Sequence, residues 1–197
     1  MPTFAPAPMP EGPITFLMIA RLLRDKGVYE YVEAARMVKR AHPEARFVLV
    51  GPFDPNPTAV KPAEVEAWVR EGVIDYKGAV DDVRPHIAAC HVFVLPSYRE
   101  GTPRTVLEAM AMGRPIITTD VPGCRETVEP STNGIRVPLK DNDELAAALS
   151  RLANNAALRH QLSLGARRLV EQRFEARVIA RATTALLHPI PDRAIAA

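Results

Sequence analysis

The chain has 197 residues, which at about 150 residues per domain gives one domain, one and a half at most. Hydrophobic residues make up 47% and charged residues 24%, so disorder and collagen are excluded and one sizeable core is available. The net charge of +2 excludes a strongly polyanionic or polycationic chain.

The first 13 residues, MPTFAPAPMPEGP, hold Pro2, Pro6, Pro8, Pro10 and Pro13 and read as an extended linker rather than a folded element. They lack the basic start and apolar stretch of a secretory signal. ITFLMIA (14–20) is a continuous apolar run of strand length. A helix is expected from Val28 to about Arg40, with Val28, Val32, Ala35 and Val38 on one face. ARFVLVG (45–51) is the next strand, followed by a proline-marked loop, GPFDPNPTAVKP. A short helix (63–72), a short strand (73–76) and a helix over 82–89 come next. HVFVLP (91–96) is a strand, 103–112 a helix stopped by Gly113, and PIITTD (115–120) a strand. Helices are expected at about 141–153 and 156–173, and a last one near 175–187. Residues 188–197 read as a flexible tail.

Strands that are apolar throughout, not alternating, are covered on both faces. The predicted fold is therefore α/β, a doubly wound Rossmann-like parallel sheet with helices on both faces. Such sheets bind ligands beyond the carboxyl ends of their strands. The loops to inspect are 20–27, 51–62, 77–82, 96–103 and 120–124.

The segment 151–197 holds 8 arginines against Glu171, Glu175 and Asp192, a balance of +5, while 1–150 holds 17 basic and 20 acidic side chains. This is the pattern of an arginine-laced, solvated helix face. Anionic lipid headgroups are the alternative partner, and nucleic acid is disfavoured because no aromatic residues interleave with the arginines. No run of about 18 apolar residues offers a membrane span. Cys90 and Cys124 stand apart without zinc-ligand spacing, so neither a disulfide framework nor a structural metal is expected, and a reducing cytoplasm is the default.

The first strand-to-helix turn, ARLLRDKG, carries neither the dinucleotide glycine fingerprint nor a P-loop, which disfavours a nicotinamide dehydrogenase. It does carry Arg21 and Lys26, two cations suited to an anionic ligand. The second informative segment is YREGTPRTVLEAMAMGRP (98–115). Thr102 is expected as N-cap and Pro103 as the first helical residue, so the exposed amides and positive end of that helix form an anion site. Glu100 lies in the loop before the helix, Gly101 permits close backbone approach, and Glu108 sits five residues inside, about 7–8 Å along the axis. A diphosphate at the helix start would have a carboxylate on either side, one placed for a sugar hydroxyl and one for a ribose.

Glu100 and Glu108 form an E-x7-E pair that resembles the signature of the retaining family 4 glycosyltransferases of GT-B architecture. The R-L-x-x-x-K-G turn (Arg21, Leu22, Lys26, Gly27), a G-x-V element (Gly78, Val80) and LPSYREGTPRTVLEAMAMGRPII agree with it in order over roughly 14–187. The likeness is greatest to the branch that builds capsule, O-antigen and other lipid-linked bacterial glycans. It implies catalytic roles for Arg21 and Lys26, holding the donor diphosphate, and for Glu100, positioning the donor sugar with the backbone at Gly101, Thr102 and Pro103. It implies ribose binding by Glu108 and base contacts near Gly78 and Val80, with a nucleotide-sugar as substrate and no metal or cofactor. The sequence departs from the family at Ala20, where glycine is usual, and at Cys90-His91. Family members carry a second, N-terminal acceptor domain, so the chain is expected to be an excised donor-binding half, inactive alone, of a cytoplasmic enzyme with a lipid-linked acceptor and peripheral membrane contact. A nucleotide-sugar-binding module without turnover and a GT-B epimerase of UDP-sugars are the alternatives.

Overall fold

The computed structural model describes residues 4–174 and residue 184. Six parallel strands form one sheet: β1 Thr15–Ile19, β2 Arg46–Val50, β3 Asp75–Tyr76, β4 Val92–Leu95, β5 Ile116–Thr119 and β6 Gly134–Val137. Their order is β3-β2-β1-β4-β5-β6, in which the chain runs outward from β1 to one edge, then crosses to the other side of β1 and runs outward again. That is the doubly wound order, with its switch point between β1 and β4.

Every residue of β4 and β5, and four of the five in β1, is buried, as continuous apolar runs require when helices cover both faces. The long helices are α1 Val28–Ala41, α5 Asn142–Asn154 and α6 Ala156–Arg173; the shorter ones are α2 Pro62–Arg70, α3 Arg84–Ala88 and α4 Arg104–Ala111. α1 packs against α5, and α4 against α6. The predicted inner face of α1 (Val28, Val32, Ala35, Val38) is buried as read, joined by Tyr31 and Ala34. The α5 and α6 boundaries fall within a residue of expectation, and the helix expected near 175–187 and the tail 188–197 lie outside the described residues.

Two features were not foreseen. β6 is an extra edge strand, short and opened by a glycine, pairing with β5 from Ile116↔Gly134 to Thr119↔Val137. Its first residue is glycine because the neighbouring strand comes close: a Cβ there would lie 2.2 Å from the Ile116 carbonyl oxygen. Residues 4–13 form no helix or strand, but they are seated on the domain rather than free of it. The Ala7 amide donates to the Met112 carbonyl at 3.3 Å, and the Arg114 guanidinium donates to the Pro8 carbonyl at 2.9 Å. Arg114 is fully buried and also donates to the Ile87 (2.8 Å) and Ala88 (3.0 Å) carbonyls, stapling the leading segment to the end of α3.

Candidate functional site

The loops at the carboxyl ends of β1, β2 and β4 surround two adjoining hollows. One, of about 180 Å³, is lined by Ile19, Ala20, Lys26, Leu95, Glu100, Pro103, Arg104 and Thr105. The other, of about 330 Å³, is reached by Ala20, Arg21, Gly51, Val80, Val83 and Thr105 among others. Ile19, Ala20 and Thr105 belong to both, so the two form one groove across the switch point, where a doubly wound sheet binds ligands. A larger depression of about 500 Å³ lies beside α2 at the β3 edge, but its walls are Phe53, Val65, Val69, Tyr76 and neighbours, with none of the sequence-predicted site residues.

Lys26 and Glu100, 74 residues apart in sequence, meet in the smaller hollow: Lys26 Nζ lies 2.7 Å from Glu100 Oε1, with the side chains 16% and 15% exposed. The lysine comes from a 3₁₀ turn, Arg24–Lys26, closed by Gly27 in the left-handed region (φ 76°). Gly27 is required by its neighbour as well as by its φ, since a Cβ would lie 2.0 Å from the Pro96 carbonyl oxygen. Arg21 reaches the other hollow and pairs with Asp54 Oδ2 at 2.9 Å. The Arg21 side chain is 61% exposed, against 13% for Asp54, so the guanidinium keeps solvent-facing donors that an anion in the groove can meet.

The helix start differs from expectation by one residue. α4 begins at Arg104, with Pro103 as its N-cap in extended conformation (φ −69°, ψ 108°) and no side-chain cap bond. Thr102 therefore does not cap the helix, and Pro103 is not its first residue. The Pro103 carbonyl takes the first helical bonds, from Val106 (3.1 Å) and Leu107 (3.3 Å). This leaves the amides of Arg104 and Thr105 ahead of the intrahelical ladder, at the positive end of the helix and beside the groove. Thr102 and Gly101 are exposed, and neither lines the hollows. Gly78 lies outside the hollows too, but its carbonyl accepts from the Gly51 amide at 2.8 Å, which ties the loop leading to Val80 to the end of β2.

Glu108 lies on the face of α4 that carries Arg104 and Thr105, one turn further in. Its side chain is only 16% exposed, and its neighbour Arg104, 87% exposed, stands 3.5 Å away. Burial raises the carboxyl above its ordinary value, and Arg104 offsets part of that. It is a largely desolvated acceptor held by one loose contact. Cys90 and Cys124 are both free and buried, and burial pushes the Cys90 thiol up to about 12.

The family model for glycosyl transferases group 1 matches residues 13–155, most of the chain. The chain belongs to the group 1 glycosyltransferases. Among curated group 1 relatives, it is 40% identical over 150 residues to an N,N'-diacetylbacillosaminyl-diphospho-undecaprenol alpha-1,3-N-acetylgalactosaminyltransferase of Campylobacter jejuni, covering 76% of this chain and 38% of that protein. The chain thus spans less than half the length of that relative. Among solved structures, it matches HepE of Anabaena, determined in complex with UDP, with a TM-score of 0.79 and 22% identity over 89% of this chain and 48% of that one. It also matches the C-terminal domain of a group 1 glycosyltransferase of Francisella tularensis, TM-score 0.73 and 22% identity, over 87% of this chain and 89% of that one. The fold is accordingly one Rossmann-like half of the GT-B architecture, and its sequence relatives include glycosyltransferases named for capsular polysaccharide and colanic acid biosynthesis.

Three groups of this glycosyltransferase half were missed from sequence. Asp54 sits in the proline-marked loop 51–62, one of the loops expected to carry ligand contacts, with no residue of it singled out. Thr105 could have been found from its place three residues before Glu108, and Arg104 from its place four before. Three of the five described arginines of α5 and α6 are engaged within the fold: Arg159 donates to the Leu152 and Ala153 carbonyls, Arg167 to Glu171 and to the Phe4 and Ala111 carbonyls, and Arg173 pairs with Glu129. No described helix is long and apolar enough to cross a membrane.

Proposed function

We propose that this chain is the donor-binding half of a retaining glycosyltransferase that moves a sugar from a nucleotide-sugar, with uridine diphosphate as the leaving group, onto a lipid-linked acceptor of bacterial surface polysaccharide synthesis. The observation that carries this reading is the groove across the switch point, in which Lys26, Glu100 and the start of α4 converge. The diphosphate lies against the free amides of Arg104 and Thr105, with Lys26 and Arg21 as counter-charges. Glu108 accepts from the ribose hydroxyls, the base rests by Val80, and Glu100 meets the donor sugar. As the bond from the anomeric carbon to the diphosphate breaks, negative charge grows on the departing phosphate oxygen. Fixed cations and a helix end stabilise that charge without a metal or a cofactor.

The acceptor class is supported by the Campylobacter relative, whose name gives a diphospho-undecaprenol acceptor. The acceptor wall belongs to a second, N-terminal domain, so this chain alone binds donor and transfers nothing. A lipid-linked acceptor would bring the enzyme to the inner face of the membrane as a peripheral protein. Calorimetric titration with UDP, GDP and NADH tests the donor reading: UDP should bind and NADH should not. Binding of NADH with UDP inert would overturn it, and binding of GDP in place of UDP would overturn the base assignment.

A further inference from the structure

We propose that Gly123, in the loop after β5, is a positioning residue that sets the place of Glu100. Its functional meaning rests on the assignment of Glu100 to the donor sugar above; its physical basis does not. The loop 96–101 that carries Glu100 has no regular structure and is held between two neighbours. On one side lies the 3₁₀ turn. The Tyr98 amide donates to the Asp25 carbonyl at 2.7 Å, and the Ser97 hydroxyl reaches the same carbonyl at 3.1 Å. On the other side lies the chain leaving β5. The Thr118 hydroxyl donates to the Leu95 carbonyl at 2.7 Å, and the Thr119 hydroxyl donates to the Ser97 carbonyl.

Gly123 completes that second wall. It has φ +85°, and a Cβ built on it would lie 2.0 Å from the Gly101 carbonyl oxygen and 2.2 Å from that of Glu100. A carbon and a carbonyl oxygen ordinarily approach no closer than about 3.3 Å, so any side chain must drive the two loops apart by about 1 Å. Among the described residues the Glu100 side chain bonds to Lys26 alone, so the placement of its carboxylate follows from that ion pair and from where the backbone of 100–101 is put. A group that must meet a substrate hydroxyl within hydrogen-bond distance does not tolerate a shift of that size.

The test uses this chain, with UDP-N-acetylgalactosamine and UDP as probes in calorimetry and hydrogen exchange as a ligand-free readout. In Gly123→Ala, exchange in the 97–103 segment, read at the Tyr98 amide that donates to the Asp25 carbonyl, should rise at least tenfold while β1 stays protected. The preference for UDP-N-acetylgalactosamine over UDP should fall to that of Glu100→Ala. The double variant should lose no more than twofold beyond either single variant, because both changes act through the same carboxylate. Gly72→Ala is the control for backbone strain alone: Gly72 has φ +74° with nothing within 4 Å of a Cβ, and its substitution should leave the 97–103 exchange unchanged. If Gly123→Ala fails to fold, Thr119→Val loosens the same wall without strain or clash and should give the same two effects. Unchanged exchange at 97–103, or additive losses in the double variant, overturns the positioning role. Undiminished sugar preference in Glu100→Ala overturns the assignment of Glu100 instead, and the exchange result then still decides the role of Gly123.

Discussion

Removing the Glu108 carboxylate should separate binding from stability in opposite directions. In the free protein Glu108 is 16% exposed and its one charged neighbour, Arg104, sits 3.5 Å away in solvent. Burial raises its carboxyl above the ordinary value, so the folded state favours the protonated form. Folding is thus helped below the ordinary carboxylate range, and the help is lost as pH rises through the raised value. At neutral pH the ionised group works against the fold, and Glu108→Gln should leave urea stability unchanged or raise it. The ligand reverses the sign. Two ribose hydroxyls would supply the hydrogen bonds that the carboxylate lacks, and hydrogen bonds to a charged group are worth about 1.5–3 kcal/mol. Glu108→Ala should therefore weaken UDP binding about 10- to 150-fold. Two further measurements tie the loss to the ribose. The unsubstituted chain should prefer UDP over 2′-deoxyuridine diphosphate, and Glu108→Ala should abolish that preference. UDP affinity should also fall on acidification at a higher pH than an ordinary carboxylate would titrate, and this dependence should vanish in Glu108→Ala. Equal discrimination between the two nucleotides before and after substitution would refute the ribose role outright.

Lys26→Met strips the cation from a pair that is about 15% exposed on each side and should cost about 1–3 kcal/mol in urea unfolding, most of it recovered in Lys26→Met/Glu100→Gln. Full stability of the single variant would count against a closed pair. Arg114→Met removes the guanidinium donor from the carbonyls of Ile87, Ala88 and Pro8 and should cost about 2–4 kcal/mol, with faster proteolysis of residues 4–13 as its signature. His91 accepts from the Thr15 amide through Nδ1 at 3.0 Å, a bond that needs neutral imidazole. Burial first, then Arg159 and Arg114, holds its pKa below the ordinary 6.5, with the Pro10 carbonyl opposing. Stability is then full above about pH 6.5 and falls as pH drops toward the lowered value. A thermal melt series should show that slope, and His91→Asn should flatten it.

How far the residues could be read depended on the range over which each effect acts. β1, β2 and β4 were legible because burial on both faces writes itself as an apolar run; in β5 the run is Ile116 and Ile117 alone, and the buried Thr118 and Thr119 give their hydroxyls to the Leu95 and Ser97 carbonyls. β6 was not, since a four-residue edge strand opening on Gly134 needs only β5 beside it and leaves Ile135 and Arg136 half exposed. The helix start was displaced at Thr102 because a rule that places proline inside the first turn competed with one that lets proline lead it in extended conformation. The loop that leads into the helix is held at Ser97 by the Asp25 carbonyl and the Thr119 hydroxyl, contacts that the neighbouring sequence does not announce. The same holds for the leading segment. Residues 4–13 form no helix or strand, but their seat depends on Arg114, 106 residues from Pro8. The candidate site was legible as a set and not as a geometry. Arg21, Lys26 and Glu100 could be assigned to loops at the carboxyl ends of strands, and Glu108 to the helix that follows one of them, from the alternation of elements alone. That Lys26 would close on Glu100 while Arg21 stays loosely tied to Asp54 is a matter of how two loops meet across the switch point. The glycines at that meeting, Gly27 against Pro96 and Gly123 against Glu100 and Gly101, are where the sheet's topology is converted into the position of a single carboxylate.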